Sequence, residues 1–585
     1  MYDHMNRLIA FILALLLLSA CGDSAPDPAP ESLITISSGD VVGFAHEHAT
    51  YAWKGIPFAA PPVNELRWRA PRAAIPWSDT LEATQFGSAC VQPPNRTAGS
   101  NAPESEHSVG LEDCLTLNVF TPRTALHDAK QLPVMFWIHG GANILGSAQQ
   151  YDGARLASEQ NVVVVTINYR LGLFGWFRHE SLRTAGDSAS DHSGNYGTLD
   201  IIAALQWVQD NIKAFAGNPD KVTVFGESAG GRNTWSMVQT PLAKGLFHGA
   251  IVQSGTLKIM DPDKAESISA DAPDYPSYQN NSAELVPKLV AGATGLDSAV
   301  IASALRALTA DEIYQQLTAG SDDSYDQPRL FLDGHVFLEP ALELFKDPAK
   351  YNSVPIITGT NRDEDKLFMM FNERWVDFRF GFFPRVKSSE RYNKSASYGA
   401  DTWRVFSVDR PAEVITRHGG ASVYTYRFDF DDMSDAVLDM PLLMGAAHAM
   451  EIPFVFGNHS EAPWSWLFSN SEQRTELSAA MMNYWGAFAH TGDPGTGSAA
   501  EQPRWQPWQA SGDHIMLLDT ENDGGVRMSN QPMRVEDIKQ RLFADAAFTV
   551  EERCEAYSAL FLNGYMVADA FDDAERRLLC EGGAP

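Results

Sequence analysis

The chain lacks any apolar run long enough to cross a bilayer. Its one extended run, Leu8–Leu18, has eleven residues, whereas a spanning helix needs roughly 20. Positive charge is scarce: 44 Lys and Arg stand against 74 Asp and Glu, a formal net charge of −30. That balance argues against a nucleic-acid partner, whose phosphates require basic patches; the surplus acidity serves solubility. Cysteine is sparse as well. There are five in 585 residues, with no C-x-x-C and no Cys/His cluster at metal-ligand spacing, so no metal is expected. No internal repeat and no compositional break divides the chain, which reads as one large domain.

The short run near the start fits the apolar core of a signal peptide. Leu18-Ser19-Ala20-Cys21 follows it and resembles a bacterial lipobox, in which the cysteine becomes a lipidated N-terminus. The expected organisation is therefore residues 1–20 as signal peptide, 21–32 as a flexible Pro/Ala/Asp tether and 33–585 as the catalytic domain. The mature protein is expected to be exported and held through Cys21 at the cell envelope, at the outer membrane, the alternative being a periplasmic or secreted protein. Four cysteines remain, and an even number in an exported chain predicts two disulfides. Order and separation favour Cys90–Cys114 and Cys554–Cys580, each worth roughly 3 kcal/mol through loop closure.

Glu31–Ala45 reads as a short hairpin turning at Ser37-Ser38-Gly39-Asp40. The segments 51–62 and 66–71 are broken by proline and cannot be helical. Residues 112–120 alternate as a strand does. Leu132–His139, Asn161–Tyr169, Gly249–Ser254, Val354–Thr360 and Ser422–Phe428 are buried strands by their continuous apolar character. Leu199–Phe215 has helical period. Asp261–Leu285, rich in Pro, Asp and Ser, reads as a loop or a mobile part of a lid. Strands alternating with helices indicate an α/β fold with a mainly parallel centre.

The chemistry centres on Val222-Thr-Val-Phe-Gly-Glu-Ser-Ala-Gly-Gly231. Gly226-Glu227-Ser228-Ala229-Gly230 fits G-x-S-x-G after a strand, the pattern of a nucleophile elbow. Such a turn strains the serine backbone and lifts the hydroxyl to the top of the sheet. It also sets the next amide at a helix N-terminus, where it can bind a developing negative charge. A serine needs a histidine base oriented by a carboxylate. His335, His418, His448, His459, His490 and His514 all lie far enough downstream of Ser228. Among them His448 stands out, in a run of small residues ahead of an apolar segment. For the acid, Asp363, Glu364 and Asp365 compete in the turn after the strand Val354–Thr360. His139-Gly-Gly-Ala-Asn143 follows another strand and offers further backbone amides.

Together these stretches resemble the type-B carboxylesterases, the group that also holds the cholinesterases. The likeness runs from about Leu33 to the C-terminus. Its motifs are Lys54-Gly-Ile-Pro-Phe-Ala59, Glu112-Asp-Cys-Leu-Thr-Leu-Asn118, Asn168-Tyr-Arg-Leu-Gly172, Gly194-Asn-Tyr-Gly-Thr-Leu-Asp200, Ala204–Ile212 and the elbow itself. The resemblance implies an α/β-hydrolase fold: a large, mostly parallel sheet flanked by helices, with a small N-terminal antiparallel hairpin and lid insertions. It implies Ser228 as nucleophile, Glu364 as acid and His448 as base. It also implies Gly141, Ala142 and Ala229 as oxyanion-hole amides, and Cys90–Cys114 as a disulfide. Two positions depart from the family. Ala142 replaces the third glycine of His-Gly-Gly-Gly, and the amide survives only if alanine tolerates the local φ. Asp365 replaces the glycine after the acid and adds charge beside Glu364.

The function implied is cleavage of small carboxylic esters through an acyl-enzyme, with no metal and no organic cofactor. Two other readings belong to different classes: a non-catalytic adhesion or binding protein on the same fold, and a hydrolase acting mainly on amides or carbamates. The filled triad positions speak against the first. Between Cys90 and Cys114 there is no Trp, Tyr or Phe, so no cation–π platform for a choline head is expected there.

Overall fold

The computed structural model describes residues 25–581 except 96–97, 100–101, 129, 185, 268–279, 318–328, 380–382, 436–437, 460–466, 469–470, 501, 510, 512–513, 532 and 562–569. The expected signal peptide and lipidation site, residues 1–20 and Cys21, lie outside the described residues.

The frame is an 11-stranded sheet. In chain order its strands are β1 (Phe44–His46), β2 (Thr50–Pro57), β3 (Thr116–Pro122), β4 (Leu132–Ile138), β5 (Val163–Ile167), β6 (Gly217–Glu227), β7 (Gly249–Gln253), β8 (Ile356–Asn361), β9 (Val423–Phe428), β10 (Ile515–Leu518) and β11 (Arg527–Ser529). In space they run β11-β10-β9-β8-β7-β6-β4-β5-β3-β2-β1. Pairing is parallel from β10 through β5 and antiparallel at both margins. The two edge strands are short, which limits edge-to-edge association.

The central strands are apolar throughout because both faces are covered. Alternate residues feed two separate cores. Val134, Phe136 and Ile138 of β4 join Val222 and Val224 of β6 beneath helix α1 (Tyr196–Asn211), through Ile201, Leu205 and Val208. Met135 and Trp137 point the other way, with Phe225 and Ile251, against Met481, Trp485 and Phe488 of the helix Glu472–Thr491. Fully burying side chains of this size contributes about 1.5–3 kcal/mol each, so the strand register is firmly set. A buried bidentate ion pair joins two of the sequence motifs: Arg170 donates to both carboxylate oxygens of Asp200 at 2.7 and 2.8 Å.

The N-terminal hairpin forms as read, with Ile34–Ile36 antiparallel to Gly39–Val42, and Leu81–Glu82 adds a third strand. Three expectations change. The flexible tether does not extend to residue 32. Ala29 N donates to Gly43 O, Ser32 is fully buried, and Trp53 Nε1 donates to Ser32 O, so residues 29–32 belong to the folded body. The region Asp261–Leu285 is not simply a loop, since Pro262–Glu266 is helical and a second helix, Ser282–Leu289, starts inside it. Asp261 and Asn281 cap these helices; in the sequence both resembled loop residues, because capping and turn chemistry use the same side chains. The strand expected over 112–120 begins only at Thr116, and β3 is buried on both faces rather than alternating.

Both cysteine pairs are bonded, Cys90–Cys114 and Cys554–Cys580, with Cα atoms 5.0 Å apart in each. The second ties Val550–Phe561 to Asp573–Cys580, and these helices share a small core with Tyr398, Val405 and Phe406. Among the described residues no helix is long and apolar enough to cross a membrane.

Candidate active site

Strand β6 ends at Glu227 and helix α2 (Ala229–Gln239) begins two residues later, so the chain reverses at Ser228. Ser228 has φ 58° and ψ −118°, a conformation that costs a non-glycine residue about 1–3 kcal/mol. The surrounding glycines make the turn possible. A Cβ on Gly230 would lie 1.9 Å from Ile138 O, and one on Gly226 would lie 2.5 Å from the same atom. The elbow is thus pressed against the end of β4, and only glycine lets the backbones approach so closely. Ser228 N donates to Gln253 O at the end of β7, fixing the turn from the other side.

The segment after β4 wraps over the elbow. A Cβ on Gly140 would be 3.3 Å from Ser228 Cβ. His139 is stacked on Tyr169 at 4.4 Å, its Nδ1 is 2.8 Å from Gly140 O, and burial draws it down to about 4, so it is neutral. Gly141 has φ 97°, and a Cβ there would meet Leu145 O at 2.0 Å. Ala142 takes φ 57°, the left-handed region in which a third glycine would sit without strain; alanine holds it at a cost of about 1–2 kcal/mol. Among the described residues no acceptor takes the N–H of Gly141, Ala142 or Ala229.

The acid turn follows β8. Its three carboxylates have separate environments. Asp363 pairs with Arg362 at 2.8 Å and Lys366 at 3.1 Å and accepts from Ala446 N, which braces the histidine loop. Glu364 is fully buried. Its Oε1 accepts from Asn361 N at 2.7 Å and Ser254 Oγ at 2.5 Å, and its Oε2 faces His448 Nδ1 at 2.5 Å. Asp365 stands at the start of the short helix Lys366–Met369 but its side chain does not cap it. Burial, with the charge of Glu364, pushes its carboxyl up to about 7. The extra acid therefore carries the electrostatic penalty itself.

His448 sits in a tight turn followed by Ala449 at φ 68°. Its ring is flanked by Trp403 at 5.0 Å and Phe368 at 5.4 Å. No hydrogen bond joins it to Ser228 among the described residues. Nε2 has no hydrogen-bond partner and lies 3.1 Å from Glu227 Oε1. Links of this kind commonly tighten only in the complex with substrate. Burial works to lower the basicity of His448, but Glu227, Glu364 and Glu451 outweigh it and hold the imidazolium above its usual range. Burial raises Glu227 as well, against the pull of His448. When the pair holds one proton the two groups compete for it, and the imidazole is then neutral only with the proton on Glu227.

Sequence reading missed this supporting layer. Glu451 accepts from Asn361 Nδ2 at 2.7 Å and Gln253 Nε2 at 3.1 Å, and Gln253 accepts from Trp485 Nε1 at 3.1 Å. Gln253 ends the strand beside the elbow strand and Ser254 follows it, and Glu451 comes three residues after His448 at the start of the helix Ile452–Phe456. Those placements were the available signal. Apart from the site, Asp431, Asp432 and Asp523 bring carboxylate oxygens within 4.8 Å of one another, but Arg362 already pairs with Asp431.

The carboxylesterase family model matches residues 30–393 and 385–537. Among curated relatives, para-nitrobenzyl esterase of Bacillus subtilis is 34% identical over 533 residues, spanning 87% of this chain and 98% of its own. Carboxylesterase 1D of Rattus norvegicus is 32% identical over 545 residues, with 84% and 91% covered. Acylcarnitine hydrolase of Mus musculus is 32% identical over 529 residues, with 83% and 87% covered. Among solved structures, a PNB esterase superposes with TM-score 0.65 at 31% identity, covering 86% of this chain and 98% of its own. A Geobacillus stearothermophilus carboxylesterase gives 0.66 at 29%, covering 86% and 98%. The chain belongs to the carboxylesterase family and is a carboxylic-ester hydrolase on the α/β-hydrolase fold.

Proposed function

We propose that Ser228 is the nucleophile, His448 the general base and Glu364 the acid of this hydrolase, with Gly141, Ala142 and Ala229 as the oxyanion-hole donors. The observation that carries this reading is the imidazole anchored through Nδ1 on buried Glu364 while Nε2, 3.1 Å from Glu227 Oε1, makes no hydrogen bond among the described residues. In the reaction His448 Nε2 takes the Ser228 proton as Oγ attacks the ester carbonyl. The oxyanion rests on the three amides. His448 then gives the proton to the leaving alcohol, and the acyl group stays on Ser228. Water repeats the sequence, releasing the acid and restoring the serine.

The substrate class is neutral carboxylic esters without choline selectivity, because the Cys90–Cys114 loop carries no Trp, Tyr or Phe. The mature protein is lipid-anchored through Cys21, a reading that rests on the lipobox-like stretch alone; Cys21→Ser should move it from the detergent phase to the aqueous phase. The catalytic roles are tested by turnover of a panel of p-nitrophenyl esters and matched anilides. Ser228→Ala and His448→Ala should each lower ester turnover by a factor on the order of 10⁴–10⁶, without adding in the double variant. Glu364→Gln should do less. Wild-type rates on a Ser228→Ala background would end the assignment, and anilides outpacing esters would end the ester preference.

A further inference from the structure

Asp365 stands where the family pattern carries glycine, and the structure accommodates it with a glycine elsewhere. Gly399 lies inside the helix Ser389–Arg404, here α3. Glycine in a helix interior costs about 1 kcal/mol relative to alanine, and no positive φ requires it there. What requires it is the carboxyl opposite: a Cβ on Gly399 would lie 1.5 Å from Asp365 Oδ2 and 2.3 Å from its Cγ. One turn further along the same face of α3 stands Trp403, whose ring flanks His448 at 5.0 Å. Notch and indole thus stand on one wall of α3, the Asp365 carboxyl against the first and the His448 ring beside the second.

The charges around that wall are few. On Asp365 act Glu364, which raises it, and His448, which lowers it. Helix α3 turns the uncharged Gly399 toward it, and Lys366 is drawn instead to Asp363 at 3.1 Å. On His448 act Glu227, Glu364 and Glu451, besides its attraction to Asp365.

We propose that Asp365, seated in the Gly399 notch, is a positioning residue for His448 that stabilises the imidazolium formed when Ser228 loses its proton. The inference rests on the triad roles given above. A negative charge held near His448 favours its protonated form, so removing that charge makes the neutral base available at lower pH. Because the two groups interact, the wild-type limb should also be broadened, its apparent pKa values belonging to the pair.

The test is the pH profile of kcat/KM on a neutral p-nitrophenyl ester for wild type, Asp365→Asn and Gly399→Ala, each also assayed for fluorophosphonate labelling of Ser228. Asp365→Asn keeps the shape and drops the charge; its acid limb should move down by about one pH unit and steepen. Gly399→Ala keeps the acid but expels it from the notch, and its limb should move the same way. In the double variant the shifts should not add. Limbs of both single variants that coincide with wild type, at full labelling, would overturn the role of Asp365. An unlabelled wild-type Ser228 would overturn the triad assignment, and this inference with it.

Discussion

Glu227 is the residue whose chemistry is least apparent from its place between Gly226 and Ser228. Its carboxylate lies 3.1 Å from His448 Nε2, the atom proposed to accept the serine proton. Burial raises Glu227, and the carboxylates raise His448. With one proton between them, any population of the Glu227⁻/His448⁺ form is lost to catalysis, since an imidazolium cannot act as a base. Glu227→Gln removes that form. The acid limb of kcat/KM should then move to lower pH, as measured with a neutral ester. A limb that stays in place or moves up would show that Glu227 does not compete for the proton. The sign follows from His448 being held above its ordinary value: its base form grows as pH rises and is lost as pH falls.

The strand–turn–helix element concentrates the backbone constraints. Gly230→Ala must push a Cβ into Ile138 O at 1.9 Å, backbone against backbone, where no rotamer offers relief. A loss of about 3 kcal/mol or more is expected, read as a large fall in the urea midpoint or as absence of folded protein. Gly245→Ala is the control: its φ is 81°, but nothing lies within 4 Å, so only the left-handed penalty of about 1–2 kcal/mol applies. Equal effects at the two positions would refute the close-approach argument. The same element explains what could be read in advance. The elbow, the buried strands and both cysteine pairs were legible because each is a local pattern with a geometric meaning. Glu364 was not separable from Asp363 and Asp365 by composition or spacing. Its identity depends on which side chain the turn points at His448, and the resemblance, not local chemistry, singled it out. Helices such as Ser282–Leu289 were hidden because a cap and a loop use the same residues. Gln253, Ser254 and Glu451 were hidden because they come together only when β7 and the turn around His448 meet beside β6.

At the scale of the molecule, the formal charge of −30 sets a field that disfavours anionic substrates. For esters of equal acyl length, an anionic leaving group should lower kcat/KM relative to a neutral one. The gap should narrow as salt rises from about 0.01 M to 0.15 M, where the Debye length falls from about 30 to 8 Å. A gap independent of salt would assign the discrimination to local contacts.

The central claim, that the strained serine of the elbow forms the acyl-enzyme, is tested most directly by locating the covalent adduct. Wild-type protein treated with a fluorophosphonate should gain a single phosphonyl group, and peptide mapping should place it on Ser228, with none on Ser228→Ala. An adduct on any other residue, or equal labelling of the Ser228→Ala protein, would contradict the account.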